Sequence, residues 1–242
     1  MSVREVIGDA AYGRAIAHLE RALAGEQVSF ENRFELPIGP RDLRITMIPS
    51  RGDEPGVYIL GSDITEFKAL QNQLEHEAAH DPLTGLPNRR AFTLRLSREL
   101  ERVRQNAETL GLLFLDLDGF KRINDQLGHH VGDALLQRFA SVLSAEVRPG
   151  DMVARLAGDE FTIILPALRQ PELELPALCE RLLAAMAVPT DVAGHLLPLA
   201  GSIGGALCHS GQYCHIDDLL HRADSAMYQA KQAGKGRFAL DL

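Results

Sequence analysis

The order of apolar and polar residues along the first 65 positions predicts one helix followed by three strands. Residues 10–23 carry apolar side chains at helical spacing, and Gly25 follows them as a stop signal. Turn-rich segments at residues 37–40 and 50–56 then separate three short apolar or alternating runs, at residues 28–36, 43–48 and 57–61. This pattern predicts an antiparallel meander.

A second helical pattern connects this segment to the rest of the chain. Its apolar or small positions are spaced by three and four residues, with charged residues between them: Ile64, Phe67, Gln71, Leu74 and Ala78. This spacing is typical of a short coiled-coil seam, in which the polar Gln71 would fix the register of two paired helices. A single amphipathic helix that packs on its own domain has the same pattern, and both interpretations stay open.

From Asp81 onward, helical and strand patterns alternate, which predicts an α/β fold with a central sheet flanked by helices. The predicted helices cover about residues 89–106, 120–127, 132–146, 173–186 and 216–233. The predicted strands are a buried strand at 110–115, a hairpin across 153–165 and a strand around 200–206. The chain therefore divides into an N-terminal segment at 1–65, a linker helix at 66–80 and a larger domain at 81–242.

The bulk properties of the chain exclude some classes of function. Its formal net charge of −8 argues against general nucleic-acid binding, because a phosphate backbone is held by clustered cations. A small phosphate ligand remains compatible with this charge, since a bound metal ion can supply positive charge locally. No apolar stretch reaches the length of a membrane span and no signal-peptide pattern begins the chain, so we expect a cytoplasmic protein without membrane contact in this segment.

The three cysteines, Cys179, Cys208 and Cys214, form no obvious paired framework, and free thiols are expected in a reducing cytosol. Cys208 and Cys214 are each followed by histidine, which raises the alternative of a zinc site. The spacing differs from that of known zinc sites, and the turn-like residues 210–212 favour a hairpin or loop.

Two groups of carboxylates follow strand-like runs. Asp116 and Asp118 end the buried strand and lie on the same side of it by alternation, while Asp159 and Glu160 lie at the predicted hairpin tip. Gly158 would let backbone approach a ligand there. If the tip lies beside the strand end, three carboxylates converge, and Mg²⁺ or Mn²⁺ is the natural counter-ion for such an all-oxygen set. Two unrelated solvated turns are the competing interpretation.

Several ordered blocks of the second domain resemble the signature blocks of the GGDEF diguanylate cyclases. These blocks are DPLTGLPNRR at 81–90, DLDGFKRIND at 116–125, GHHVGD at 128–133, RLAGDEF at 155–161, SIG at 202–204 and ADSAMYQAKQAG at 223–234. The resemblance implies a nucleotide-cyclase-like central sheet with flanking helices. It also implies a homodimer in which two GTP molecules condense into cyclic di-GMP with release of two pyrophosphates.

The resemblance assigns roles to particular residues. Metal binding, with two Mg²⁺ or Mn²⁺ ions in each half of the active site, falls to Asp116, the carbonyl of Leu117, Asp159 and Glu160. Asp159 and Glu160 are also the implied catalytic residues, one of which would accept the proton of the attacking hydroxyl.

The implied substrate-binding residues contact the base and the phosphates of GTP: Asn124, His129, Asp133, Lys121, Gly158, Lys231 and Lys235. Asn124 and Asp133 match the guanine-reading pair, because a carboxylate can accept from both N1–H and the exocyclic amine of guanine. Asp133 is also open to interpretation as the N-cap of the following helix. Lys235 stands where the family commonly has arginine, so a bidentate contact is lost and the charge is kept.

A second ligand site is implied by Arg148 and Asp151, which stand where the family places its product-inhibition motif. An arginine beside a carboxylate suits cyclic di-GMP, since the first can bind a phosphate and the second can read guanine. The competing interpretation is a turn with a surface ion pair of little energetic value.

Ala157 is the main departure from the family pattern, which has glycine at this position. A methyl group there costs about 1 kcal/mol or more if the position needs positive φ or space for a phosphate, and it is harmless if φ is negative. The sequence therefore predicts an active diguanylate cyclase, with a catalytically silent domain that binds GTP or cyclic di-GMP as the alternative. A purely structural dimerisation module would leave the acidic cluster unexplained.

The first 65 residues resemble the second half of a PAS sensor domain. Their predicted strands match that half, and the Asp63-Ile64-Thr65 sequence that closes them matches the usual exit signature of the family. Half of such a fold leaves an open sheet edge and an uncovered core face.

Overall fold

The computed structural model describes residues 9–50, 56–106 and 108–242, and the chain forms two compact units that meet between His76 and Glu77. The elements of the first unit are α1 Asp9–Leu23, β1 Val28–Leu36, β2 Gly39–Pro49, β3 Val57–Asp63 and most of α2 Thr65–Ala79. The three strands form an antiparallel sheet in the order β1-β2-β3, so the predicted meander is confirmed. Most of the predicted turn at 50–56 lies outside the described residues, and the predicted domain boundaries at 65 and 80 stay predictions.

The helix α1 covers one face of this sheet. Its Ala15 and Ala22 are buried together with Val28 of β1 and Met47 of β2, which are Cα partners in the strand ladder. Small residues on the helix and larger ones on the strands let the two layers approach closely.

The Asp63-Ile64-Thr65 sequence fixes the start of α2. The Asp63 carboxylate accepts hydrogen bonds from both the backbone N–H and the hydroxyl of Thr65, and that hydroxyl accepts one from the N–H of Asp42. Thr65 therefore ties the helix start to β2. The helix then leaves Phe67 and Leu74 exposed.

The second unit is a five-stranded mixed sheet between helices, as predicted. Its helices are α3 Arg89–Gln105, α4 Phe120–Leu127, α5 His129–Glu146, α6 Pro171–Ala187 and α7 Ile216–Gln232. Its strands are β4 Thr109–Leu117, β5 Met152–Ala157, β6 Glu160–Leu168, β9 Gly201–Cys208 and β10 Phe238–Asp241, with a separate small hairpin of β7 Thr190–Val192 and β8 His195–Leu197. Sequence patterns did not predict β7, β8 or β10, which are only three or four residues long.

The strand order is β10-β9-β4-β6-β5, and all neighbouring pairs are antiparallel except β9 and β10. The strand β4 is therefore central and is covered on both faces. Alternate side chains enter two different cores: Leu113, Leu115 and Leu117 pack with α5 and α6, while Leu110, Leu112 and Phe114 pack with α3 and α7. This alternation explains the unbroken apolar run that the sequence has there.

Two predictions about the second unit are wrong. Cys208 and Cys214 form a disulfide, which joins the end of β9 to the loop before α7, so these two are not free thiols. Only Cys179 of the described cysteines is free, and burial raises the pKa of its thiol to about 12. The helix α5 begins at His129 with Gly128 as its N-cap, so Asp133 lies inside the helix and is not its N-cap.

Gly204 sets how closely α7 approaches the sheet. A Cβ atom on Gly204 would lie 2.0 Å from the Ala223 carbonyl oxygen and 2.1 Å from the Met227 nitrogen, both of which are backbone atoms of α7. The backbone of a packed helix cannot yield locally, so the whole helix would have to move away from β9.

We therefore expect Gly204→Ala to lower the free energy of unfolding by about 3 kcal/mol, the upper end of the usual cost of overpacking. Chemical denaturation measures this change. The matched control is Gly13→Ala in α1, where the added methyl meets nothing within 4 Å and helix propensity alone favours alanine by about 0.5–1 kcal/mol. An unfolding midpoint of Gly204→Ala equal to that of the parent would contradict this packing argument.

Candidate active site

The structure brings the predicted carboxylates together at one corner of the central sheet. Asp116 near the end of β4 and Glu160 at the start of β6 are directly opposed Cα partners. Because opposed residues of an antiparallel pair project to the same face, both side chains lie on the face covered by α3 and α7. Asp159 belongs to the adjoining turn between β5 and β6. We call these three residues the acid corner.

Lys231 of α7 supplies a cation to the acid corner. Its Nζ lies 2.6 Å from Oδ1 of Asp116, and the side chains of the two residues are 27% and 15% exposed. The pKa of Asp116 is raised above its usual value of 3.8, chiefly by burial. The hydrogen bond from Lys231 opposes this rise, while the negative charges of Asp159 and Asp118 add to it. Arg89 supplies a second cation, since its Nη2 lies 3.7 Å from Oε2 of Glu160. The three carboxylates of the corner thus meet two cations and remain short of positive charge.

The donor set of the acid corner is chemically suited to a divalent cation. In the described residues, no three carboxylate, imidazole or thiolate groups already lie together as a metal site. The corner nevertheless offers only oxygen ligands, and the raised pKa of Asp116 among neighbouring carboxylates is the condition that a hard cation relieves. Leu117, the last residue of β4, adds its carbonyl to the same strand end. The residues therefore fit Mg²⁺ or Mn²⁺.

An arginine holds the tip that carries Asp159. Arg155 donates from Nε to the Gly158 carbonyl at 2.9 Å and from Nη1 to Oδ1 of Asp81 at 2.8 Å. Asp81 also accepts from the backbone and hydroxyl of Thr84, so the tip is anchored to the loop that begins the domain. The pKa of Asp81 is lowered by these hydrogen bonds, against the effect of burial. Sequence reasoning did not identify this pairing, because 74 residues separate its two partners.

The structure shows the backbone conformation around Ala157. Ala157 ends β5, and it is not among the described non-glycine residues with positive φ, which are Ala167, Ala193 and Lys235. Gly158 beside it does have positive φ, at +50°. The backbone strain of the turn therefore falls on a glycine, and the methyl group of Ala157 adds none.

Asn124 and Asp133 come from the two helices that meet at Gly128. The Oδ1 atom of Asn124 is buried and has no hydrogen-bond partner in the structure. A Cβ atom on Gly132 would lie 1.8 Å from this oxygen, so only glycine leaves room for it. Asp133 is exposed on the next residue of α5. A buried acceptor without a partner is costly, and a hydrogen-bond donor from outside the described residues would relieve that cost.

Lys235 lies in a loop whose backbone is unusual. Gly234, Lys235 and Gly236 have φ values of 122°, 62° and 56°, a conformation that a lysine rarely adopts. Asp118 holds this loop, because its carboxylate accepts from the Gly236 N–H at 3.0 Å and from the hydroxyl of Ser202. The only sequence signal that Asp118 would hold this loop was its position two residues after Asp116.

Lys121 and His129 are exposed, on α4 and α5 respectively. The family resemblance implies a place for both in the substrate site, and among the described residues neither side chain makes a hydrogen bond or ion pair that tests this role.

Arg148 and Asp151 form the expected ion pair, away from the acid corner at the other end of β5. The Arg148 Nε lies 3.1 Å from Oδ1 of Asp151, and its Nη2 donates to the Pro166 carbonyl at 2.8 Å. The Asp151 side chain is only 4% exposed, so the pair is not a simple surface contact. An adjacent cavity of about 380 Å³ is lined by four arginines, which are Arg95, Arg102, Arg148 and Arg169.

Comparison with known proteins gives a consistent result for the second unit. A family model described as diguanylate cyclase, GGDEF domain, matches residues 78–237. The diguanylate cyclase TpbB of Pseudomonas aeruginosa is 38% identical over an alignment of 204 positions, which covers 77% of this chain and 46% of that protein. The chain spans less than half of the length of the curated relatives that it matches.

Solved structures support the same assignment. The structure of the isolated GGDEF domain of TpbB matches with a TM-score of 0.63 and 40% identity, over 66% of this chain and 93% of that one. The coiled coil and GGDEF domain of DgcB from Caulobacter crescentus, in complex with c-di-GMP, matches with a TM-score of 0.67 and 27% identity, over 74% and 93% of the two chains. No helix in the described part of this chain is long and apolar enough to cross a membrane.

The raised pKa of Asp116 predicts that its charge destabilises the fold. Below 3.8 the carboxyl is neutral in both folded and unfolded protein, so it imposes no penalty. As pH rises from 3.8 through the raised folded pKa, the carboxyl ionises more readily in the unfolded state than in the folded state. The free energy of unfolding therefore falls over this range. We expect Asp116→Asn to raise the melting temperature at pH 7.5, and the gain to shrink as pH falls toward 3.8. Thermal unfolding across this pH range measures it.

The matched control is Asp125→Asn, which changes an exposed carboxylate on α4 and should leave the melting temperature unchanged. A melting temperature of Asp116→Asn below that of the parent at pH 7.5 would contradict this account of the corner.

Proposed function

The chain belongs to the GGDEF family of diguanylate cyclase domains, and we propose that its second unit condenses two GTP molecules into cyclic di-GMP with release of two pyrophosphates. The observation that carries this proposal is the acid corner, in which Asp116 and Glu160 are opposed Cα partners beside Asp159. All the carboxylates that the reaction needs are present, and Ala157 adds no backbone strain.

In the proposed reaction, two copies of the domain face each other, each holding one GTP, and the 3′-hydroxyl of each GTP attacks the α-phosphorus of the other. Asp116, the Leu117 carbonyl, Asp159 and Glu160 would hold two Mg²⁺ or Mn²⁺ ions in each half, which supply positive charge against the phosphates. A carboxylate of the hairpin accepts the hydroxyl proton. Catalysis then depends mainly on positioning, as is usual for transfer at phosphorus.

Asn124 and Asp133 are the proposed guanine readers. The buried Oδ1 of Asn124 lacks a donor, and the guanine amine or N1–H could supply one. Asp133 is free of any capping duty, because α5 begins four residues earlier. Both features favour guanine over adenine, which lacks the donor pair that a carboxylate would bind.

Lys121, Lys231 and Lys235 are the proposed phosphate-binding cations, with His129 and Gly158 as further substrate contacts. Lys231 pairs with Asp116 in the structure. An incoming triphosphate would therefore compete for its ammonium group. Transfer of Lys231 from carboxylate to phosphate would leave Asp116 free to bind a cation, so the two events favour each other.

The regulation that we propose has two parts. Cyclic di-GMP binds at Arg148 and Asp151 as a feedback inhibitor, and the neighbouring arginine-lined cavity supplies further positive charge for its phosphates. The first unit acts as the second half of a PAS sensor, with α2 as the linker. The exposed Phe67 and Leu74 of α2 lie on the seam that would pair in a homodimer.

We expect the purified chain to convert GTP into cyclic di-GMP in the presence of Mg²⁺, as measured by chromatography. Asp159→Ala should reduce the rate at least about a hundredfold, because it removes a carboxylate from the acid corner. Glu180→Ala, which changes an exposed carboxylate on α6, is the matched control and should retain the parent rate. GTP binding without turnover would instead favour the catalytically silent alternative.

Removal of the inhibitory site should extend the reaction. We expect Arg148→Ala to raise the yield of cyclic di-GMP severalfold at long times, because accumulated product no longer stops turnover. Full progress curves measure this effect, with Arg138→Ala on α5 as a control for loss of an exposed arginine. Late yields that match those of the parent would remove the inhibitory role of Arg148.

A further inference from the structure

A cavity beside the acid corner is lined by a cationic side chain, that of Arg122, to which neither the sequence motifs nor the ion pairs assign a role. The cavity has a volume of about 530 Å³, and its lining residues are Asp118, Gly119, Arg122, Ala200, Gly234, Lys235 and Gly236. A space of this size accommodates a small ligand. Its lining includes Arg122 but not the neighbouring Lys121.

The charge of this cavity is positive, although the chain as a whole carries a net charge of −8. Arg122 and Lys235 are its two cationic side chains, and Asp118 is its one acid. The Asp118 carboxylate is already occupied, since Ser202 and the Gly236 N–H donate to it. Asp118 therefore stabilises the loop and leaves the two cations available for another anion.

Within the described part of the chain, the guanidinium of Arg122 makes no ion pair or hydrogen bond with another residue. The group lies near Gly119, where a Cβ atom would be 3.9 Å from Nη2. Gly119 is the N-cap of α4 and offers no side-chain cap, so the first turn of this helix adds uncapped N–H groups beside the arginine.

The chain path connects this cavity to the acid corner. Asp116 and Asp118 are two residues apart at the end of β4, and Lys231, which pairs with Asp116, lies just before the Gly234–Gly236 loop in the chain. The terminal phosphates of a triphosphate extend beyond its α-phosphate, and this cavity is a positively charged space next to the acid corner in the chain. The anion most consistent with this arrangement is therefore the end of a nucleoside triphosphate.

We propose that Arg122 is a further substrate-binding residue, which forms with Lys235 a subsite for the terminal phosphates of GTP. This inference rests on the proposed function. Lysine at position 235 offers a point charge, whereas the planar guanidinium of Arg122 can bind phosphate oxygens in a bidentate manner. Arg122 thus compensates for the arginine that the family commonly has at position 235.

The test compares ligands that differ only in their terminal phosphates. Calorimetry measures the binding of GMP and of the α,β-methylene analogue of GTP, which cannot be cyclised, to the whole chain in the presence of Mg²⁺. We expect Arg122→Met to weaken binding of the analogue about tenfold, which corresponds to about 1.4 kcal/mol, and to leave GMP binding unchanged. The KM for GTP should rise to a similar extent, with little change in kcat, because the contact exists before and during the reaction.

Two further variants sharpen the test. Arg138→Met removes an exposed arginine from α5 and should leave both affinities unchanged. Lys235→Arg should restore much of the affinity that Arg122→Met loses, because either arginine can supply the bidentate contact. Melting temperatures equal to that of the parent would exclude misfolding as the cause.

Equal binding of the analogue by parent and Arg122→Met would overturn the inference while leaving the proposed function intact, provided that the parent turns over GTP. Equal weakening of GMP and analogue would overturn it as well, since the effect would then not arise at the terminal phosphates. A parent chain that neither binds the analogue nor consumes GTP would overturn the proposed function, and the role of Arg122 with it.

Discussion

The crowding of carboxylates at the end of a doubly buried strand is the interaction on which the second unit depends. β4 is central in the sheet, and its alternate side chains fill two separate cores. Because β4 is covered on both faces, Asp116 is partly buried and its ionisation is disfavoured. Glu160 and Asp159 lie beside it. The cost of this arrangement makes a cation necessary, whether from Lys231 or from a metal ion.

The close approach of α7 to the sheet places Lys231 at this corner. Gly204 on β9 has no side chain, so the backbone of α7 can lie against it near Ala223 and Met227. Lys231 lies one helical turn after Met227 and pairs with Asp116. The helix then ends in the loop that Asp118 holds. The close packing of α7 at Gly204 on β9 thus determines the electrostatics at the end of the central strand β4.

Some residues of the site position other parts of the protein and are not themselves proposed to bind a ligand. Arg155 holds the tip of the hairpin by its contact with the Gly158 carbonyl, and Gly132 leaves space for the amide of Asn124. Asp118 fixes the conformation of the Lys235 loop. Such residues share the signature blocks with the proposed ligands, so a motif alone does not separate the two roles.

Periodicity and turn residues are local properties, so the order of amino acids was enough to predict the main elements of the fold and the chemical groups of the site. The long helices and strands, the antiparallel sheet of the first unit and the acids at the end of β4 and at the hairpin tip could all be predicted in this way. Tertiary structure decided whatever depends on residues far apart in the chain. It opposed Asp116 to Glu160 across the strand ladder, paired Arg155 with Asp81, joined Cys208 to Cys214, and started α5 early enough to free Asp133 from capping. It also placed Arg122 and Lys235 around one cavity, since such a convergence is set by how strands and helices assemble and leaves no local pattern in the sequence.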